Sequence, residues 1–258
     1  MVKVPRGTET GEAPGDQGAR RENIGNIRPT SNAERRDASP VECRGTFTTG
    51  GQPRRRRALS RDFFIRPTLD VARDLIGTRL VHEIDGVRAA GVIVETEAYI
   101  GEDDPACHAA AGLTRRTAPL YGPPGLAYVY LNYGMHFLLN AVTEAEGHPA
   151  AVLIRALAPD EGLEIMRRRR GVDASPRADE GLCRGPGNLT RALGVTLREN
   201  GADLCGASPM WIEAGPGAPG PIVWGPRIGI SVGVETPWRC SVAGHPSVSG
   251  PRAPARRG

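Results

Sequence analysis

The sequence predicts an α+β fold whose sheet is built from hairpins rather than from alternating βαβ units. Two observations carry this. Asp85-Gly86 separates two β-prone runs, TRLVHEI (78–84) and VRAAGVIVETEAYI (87–100), and an Asp-Gly in that position is a strong hairpin signal. The run LAYVYLNYGMHFLLNAV (126–142) is again rich in β-formers and breaks at Gly134. The helical patterns between these runs do not alternate one for one with strands, as a parallel sheet requires.

The elements follow in order. In FFIRPTLDVARDLIGTRL (63–80), Pro67 suits a first helical turn, Leu69, Ala72, Leu75 and Ile76 share a face, and Gly77 can stop the helix. After the first hairpin, Gly122-Pro123-Pro124-Gly125 breaks the chain before the second β-rich run. AVLIRAL (151–157) reads as a buried strand, and 160–170 as a helix ending in Arg167–Arg170. GPGNLTRALG (185–194) predicts a short helix after a Gly/Pro turn. Shorter strands are expected at 209–213, 221–230 and 237–242.

Composition divides the 258 residues unevenly. Residues 1–58 hold few large apolar side chains and one aromatic, Phe47. They cannot bury enough apolar surface to offset chain entropy, so a disordered basic N-terminal arm is expected there. Residues 59–250 form one domain-sized body, and 251–258 a loose Pro/Arg-rich tail. The net charge of +4 sits in the arm: residues 1–60 carry twelve Lys and Arg against seven Asp and Glu, mostly through Arg54–Arg57. Such an arm suits phosphate binding, and a solvated linker has the same composition. The near-neutral body is no argument for nucleic acid, so any DNA face must come from locally clustered arginines.

Lys3 is the only lysine, so the body offers no side-chain amine for a Schiff base. Five cysteines without a CxxC pair read as reduced thiols in a cytoplasmic protein. No apolar run approaches the roughly 18 residues of a membrane span, and no membrane partner is expected. The five histidines show no metal-ligand spacing with Cys or Asp, and no cofactor loop of the G-x-G-x-x-G or P-loop type occurs where it would be needed.

Three segments carry chemistry. In VETEAYIGEDDPACH (94–108), Glu95 and Glu97 point the same way on a strand and Tyr99 continues that face. A carboxylate beside an aromatic suits base-plus-platform chemistry, although an isolated Glu-x-Glu is more often a surface or salt-bridged pair. In GPPGLAYVYLNYGMHFLLN (122–140), Tyr128, Tyr130 and Asn132 share a face. Four of the five tyrosines fall between 121 and 133. Core packing explains Tyr128 and Tyr130 as readily as stacking does. Tyr133 precedes Gly134, which permits a turn that projects the ring. In AVLIRAL, Arg155 interrupts an apolar strand and needs an anion: Glu97, a DNA phosphate, or both.

Together these segments resemble the alkyladenine (3-methyladenine, N-methylpurine) DNA glycosylase family. The resemblance runs from about Phe63 to about Ser249. It rests on VETEAY (94–99), His108, YVYLNYGM (128–135), Asn140, LIRAL (153–157), LCRGPGNLTRALG (182–194), GPRIGI (225–230) and WRCSVAGHPSVS (238–249) in that order. It implies a single mixed domain around a curved, mainly antiparallel sheet with peripheral helices, similar to the formyltransferase C-terminal domain. It also implies a monofunctional enzyme that flips a damaged purine out of double-stranded DNA and releases it by water attack at C1′. Alkylated purines (3-methyladenine, 7-methylguanine) are the expected substrates, with deaminated purines as further candidates, and a monomer is expected.

By the same resemblance Glu97 is the general base and Arg155 helps hold the water and a phosphate. Tyr99 and Tyr130 flank the base, His108 packs at its edge, and Asn140 crowds a guanine 2-amino group. Tyr133 enters the duplex. The segment 110–125 departs from the mammalian pattern, which leaves any DNA contact by Arg115 and Arg116 open. The alternative is a non-catalytic DNA-binding protein on the same scaffold, which would keep Tyr133 and the arginines without needing Glu97. A formyl-transferring or RNA-modifying enzyme of related fold is a third reading.

Overall fold

The computed structural model describes residues 58–250. The expected arm lies outside the described residues apart from Ala58, which bridges to Glu213, and the expected tail lies wholly outside them. The described residues form a curled, eight-stranded, antiparallel sheet with helices around it, the class the sequence predicts.

Two short helices open the body, α1 (Arg61–Phe64) and α2 (Thr68–Asp74). The helix expected between Pro67 and Gly77 is α2, and α1 precedes it. Pro67 restricts Arg66 to non-helical backbone and itself sits just before the first turn of α2. The first hairpin joins β1 (Arg79–Ile84) to β2 (Val87–Ile100) through Asp85 and Gly86, both at positive φ (51° and 76°). Two consecutive left-handed residues match the twist of the flanking strands. The second hairpin joins β3 (Ala127–Asn132) to β4 (His136–Val142), and β5 (Ala150–Glu161) follows. Glu161 ends β5, and Gly162 (φ 74°) turns the chain, so the helix expected from 160 begins at Leu163 as α3 (Leu163–Arg170). After α4 (Pro176–Gly181) and α5 (Pro186–Leu193) come β6 (Met210–Glu213), β7 (Ile222–Gly225) and β8 (Arg239–Val242). The strand expected over 221–230 stops at Gly225, and the chain beyond it folds toward β2 to deliver Arg227 and Ile228 (below).

The strand order is β3-β4-β5-β2-β1-β6, with β8 pairing both β2 and β7. β2 organises the molecule. Its first half pairs β1, Glu95–Glu97 pair β8, and β5 runs along the other edge. The β2–β5 register slips three times, once near its end, where Asp160 is unmatched, and twice in the middle, leaving Val94 unmatched on β2 and Arg155 unmatched on β5. Bulges bend a sheet and re-aim side chains, and the middle two lie beside both glutamates.

Strand alternation separates two apolar clusters. Ala98 and Val129 point into the main core with Ile93, Leu139 and Ile154, under Val71 and Ala72 of α2 and Leu189 and Leu193 of α5. Their sequence neighbours Tyr99, Tyr128 and Tyr130 point the other way, into a smaller cluster with Cys107, Leu120 and Ala151. That second cluster positions the site.

Candidate active site

β2 and β3 supply the aromatic walls of a cavity of about 510 Å³. Tyr99, His108, Tyr130, Tyr133, Asn140 and Arg155 all line it, and so do Tyr128, Asn188 and Ile228. Six of the seven expected site residues therefore meet at one opening. The seventh, Glu97, is fully buried and lies directly behind the wall.

Every contact of Glu97 leads to that wall. Its Oε2 accepts the Tyr99 hydroxyl at 2.9 Å, and its Oε1 accepts the backbone N–H of Ile228 at 2.8 Å. The Arg155 guanidinium pairs with Oε1 at 3.1 Å. Burial pushes the Glu97 carboxyl above the usual carboxylate range, with Arg155, the Ile228 N–H and the Tyr99 hydroxyl pulling in the opposite direction. A carboxylate so placed can accept a proton at milder pH than an exposed one.

Arg155 has two carboxylate partners. Besides Glu97 it donates through Nε to Glu95 at 3.1 Å, and its Nη2 donates to the Ser249 hydroxyl at 3.1 Å. Glu95 in turn accepts Arg239 Nε at 2.7 Å and the Ser249 N–H at 2.7 Å. Two carboxylates and two guanidiniums thus share one buried network across β2, β5, β8 and the 247–249 segment. Paired and hydrogen-bonded, the charges escape the large cost of isolated burial.

The opposite wall is aromatic. His108 Nδ1 lies 2.8 Å from the Tyr128 hydroxyl, and its ring meets Tyr130 edge-on, centroids 4.4 Å apart. Burial, with Arg116 nearby, lowers the His108 pKa, so the ring is neutral at pH 7. Asn140 is fixed by donating to the Tyr128 carbonyl at 3.0 Å. Burial raises the Tyr99 and Tyr130 hydroxyls well above the ordinary phenol value, so both stay protonated donors.

Tyr133 occupies the tip of the β3–β4 hairpin. It has φ 48°, Gly134 has φ 68°, and Met135 N–H bonds the Asn132 carbonyl at 3.1 Å. A bulky residue rarely adopts left-handed backbone. Here the two-residue turn demands it, and the ring is left 82% exposed beside Met135 at 73%. An aromatic held out of the fold at the mouth of a cavity is available to a partner rather than to the core.

Sequence reasoning missed Asp104, Arg227, Trp238 and Ser249. Arg227 pairs doubly with Asp104 (2.6 and 2.8 Å), both side chains being buried. The argument used for Arg155, a lone arginine in an apolar setting, was available for Arg227 too, but its segment has no periodicity to announce burial. Among the described residues no group of three or more His, Cys, Asp or Glu side chains converges as a metal site would, and no helix is long and apolar enough to cross a membrane.

Known proteins share this arrangement of segments. The family model for methylpurine-DNA glycosylase matches residues 62–246. A Methanocella arvoryzae protein is 50% identical over 199 residues, covering 76% of this chain and 97% of its own length. Relatives from Rhodopseudomonas palustris (51% over 195 residues; 76% of this chain, 92% of theirs) and Rubrobacter xylanophilus (52% over 185; 72% and 94%) are equally close. All three carry the provisional name 3-methyladenine DNA glycosylase. With the model spanning nearly all of the described body, and identities near one half along almost the whole length of these relatives, the chain belongs to the methylpurine-DNA glycosylase family.

Proposed function

We propose that this protein is a monofunctional DNA glycosylase that excises alkylated purines, 3-methyladenine and 7-methylguanine, from duplex DNA and leaves an abasic site. Deaminated purines such as hypoxanthine are secondary candidates. The observation that carries the reading is the tyrosine-walled cavity with a buried, proton-accepting carboxylate one contact behind it.

Extruding a nucleotide costs a few kcal/mol of lost stacking and pairing. Tyr133, already projected from its turn, fills the space the nucleotide vacates and offsets part of that cost. The extruded purine enters between Tyr99 and Tyr130. Alkylation at N3 or N7 makes it cationic, and each good ring contact then favours it by roughly 0.5–2 kcal/mol over a neutral base. His108 and Asn140 meet its edge.

In the reaction Glu97 Oε2 exchanges the Tyr99 hydroxyl for a water entering from the cavity and takes one of its protons. The water oxygen bonds to C1′ as the C1′–N bond breaks, and the bond's electron pair leaves with the purine. A cationic purine departs neutral, whereas hypoxanthine must gain a proton. Glu97 also stabilises the positive charge that builds at C1′. Arg155 holds Glu97 in place and lines the cavity beside it. With Lys3 the only lysine, the nucleophile is water and the strand stays intact.

A second reading, a non-catalytic DNA binder, draws on the complete burial of Glu97 and the engagement of both its oxygens. One experiment separates the two. A duplex with a single 3-methyladenine or hypoxanthine is incubated with wild type and Glu97→Gln under single-turnover conditions. Base release lost in the variant, with duplex binding retained, supports the enzyme. Equal release in both proteins moves the base elsewhere, and no release by wild type leaves the binder. We further propose that the protein acts as a monomer in the cytoplasm, on nucleoid DNA.

A further inference from the structure

We propose that Arg227, held by Asp104 and stacked on the outer side of Tyr99, sets how strongly the cavity prefers cationic over neutral purines. This rests on the glycosylase reading above.

The geometry is specific. The Arg227 guanidinium carbon lies 4.7 Å from the Tyr99 ring centroid and 5.1 Å from that of Trp238, so it is in contact with two aromatic rings. Its Nη atoms are committed to Asp104 and to the Ala98 carbonyl (3.0 Å), while its Nε is buried without a hydrogen-bond partner. Arg227 does not line the cavity, whereas Tyr99 and the next residue, Ile228, do. One face of Tyr99 is therefore taken by a fixed cation, and only its other face and edge remain for a base.

A ring attracts a cation through the negative potential of its face. A guanidinium on one side draws that potential toward itself and repels a second cation on the other. The guanidinium is the charge that faces the ring, while the Asp104 carboxylate pairs with its Nη atoms and with the N–H groups of Ile100 (3.3 Å) and Ala106 (3.1 Å). A neutral purine stacks without feeling the repulsion. Folding alone does not call for the charge here, since well-packed apolar residues commonly replace a buried ion pair without loss. Arg116 stands 5.5 Å from the Tyr130 centroid in a similar way, but it is solvent-exposed and screened. The tuned wall is that of Tyr99.

The test uses the full chain and two duplexes, one carrying cationic 7-methylguanine and one carrying neutral hypoxanthine. Wild type, Arg227→Lys and the charge-free pair Asp104→Asn/Arg227→Gln are compared by single-turnover excision. The same substitutions in a Glu97→Gln background are compared by duplex binding, which needs no chemistry. The expected result is a cationic-to-neutral ratio raised about three- to tenfold in the charge-free pair, with Arg227→Lys staying near wild type. An unchanged ratio overturns the proposal, including one in which both lesions lose rate or affinity in parallel, since that is what a purely structural role produces. Failure of the glycosylase reading is distinguishable: wild type would then release neither base, whatever the binding ratios.

Discussion

Glu97 combines two properties that pull against each other, full burial and a required negative charge. Burial alone would keep it protonated, and the Arg155 guanidinium, the Ile228 N–H and the Tyr99 hydroxyl counter that tendency without reversing it. If Glu97 is the general base, Glu97→Gln lowers the single-turnover rate by about 10²- to 10⁴-fold, the usual worth of such a group. Duplex affinity, measured by fluorescence anisotropy, stays nearly unchanged. The sign of the pH dependence follows from the same burial. The active form is the carboxylate, and its proton affinity is raised, so excision falls as pH drops through a value above the ordinary glutamate range. A pH–rate profile with its acid limb at or below that ordinary range would show that Glu97 is not the titrating base. His108 does not produce such a limb near neutrality, because its lowered pKa keeps it uncharged there. Tyr133 is the opposite kind of residue, exposed and under backbone strain rather than buried and paired. Asparagine tolerates left-handed backbone far better than tyrosine. Tyr133→Asn is therefore expected to raise stability by on the order of 0.5–1 kcal/mol in urea unfolding, while weakening binding to a lesion duplex at least tenfold. A fall in stability with binding retained would remove Tyr133 from the DNA contact.

At the scale of elements, the site exists because β2 is bulged opposite β5 and flanked on its other edge by β8. The slip that leaves Arg155 unmatched places its guanidinium between Glu95 and Glu97, and β8 brings Arg239 to Glu95 from the other side. Glu95 is thus the joint of three strands and of the Ser249 segment. Removing it takes one carboxylate from both guanidiniums in a dry environment, leaving Arg155 with Glu97 and Arg239 with the Ser249 carbonyl, and breaking a buried pair from one side costs about 3–5 kcal/mol. Glu95→Ala should lose stability in that range by guanidinium chloride unfolding, whereas a loss below about 1 kcal/mol would mean that water or Glu97 takes over its partners. The hairpins that frame this joint were legible in the sequence, because Asp85-Gly86 and Tyr133-Gly134 carry their turn geometry locally. The shared face of Glu95, Glu97 and Tyr99 was legible from strand alternation. The joint itself was not. Glu95 and Arg239 are 144 residues apart, Glu97 and Ile228 are 131 apart, and Asp104 and Arg227 are 123 apart. No local period encodes such meetings, and resemblance supplied the roles of single residues without their partners. The start of the helix expected over 160–170 moves to Leu163 for a similar reason. Residues 158–161 carry no hydrophobic alternation of their own and are strand only because β2 runs beside them.

At the scale of the whole molecule, charge is divided between parts with different expected tasks. The relatives align along 92–97% of their own length but cover only 72–76% of this chain, so the shared machinery lies in the body, which matches the family from residue 62. Residues 1–57 carry the excess positive charge, while the cavity and its network are described within residues 58–250. Charge of this kind acts through phosphate contacts and counterion release, which is independent of sequence and weakens steeply with salt. Deleting residues 1–57 is therefore expected to leave the single-turnover excision rate at saturating enzyme within about twofold of the full chain. It should weaken duplex binding severalfold at 50 mM salt, and the gap should close toward 200 mM as screening increases. The salt slope is the decisive readout. If the arm contacts phosphates, a plot of log affinity against log salt becomes shallower by about 0.9 for each contact removed. An unchanged slope would identify the arm as a solvated linker. A collapse of the saturated chemical step would mean that the arm completes the active site, and the division of labour between arm and body would have to be redrawn.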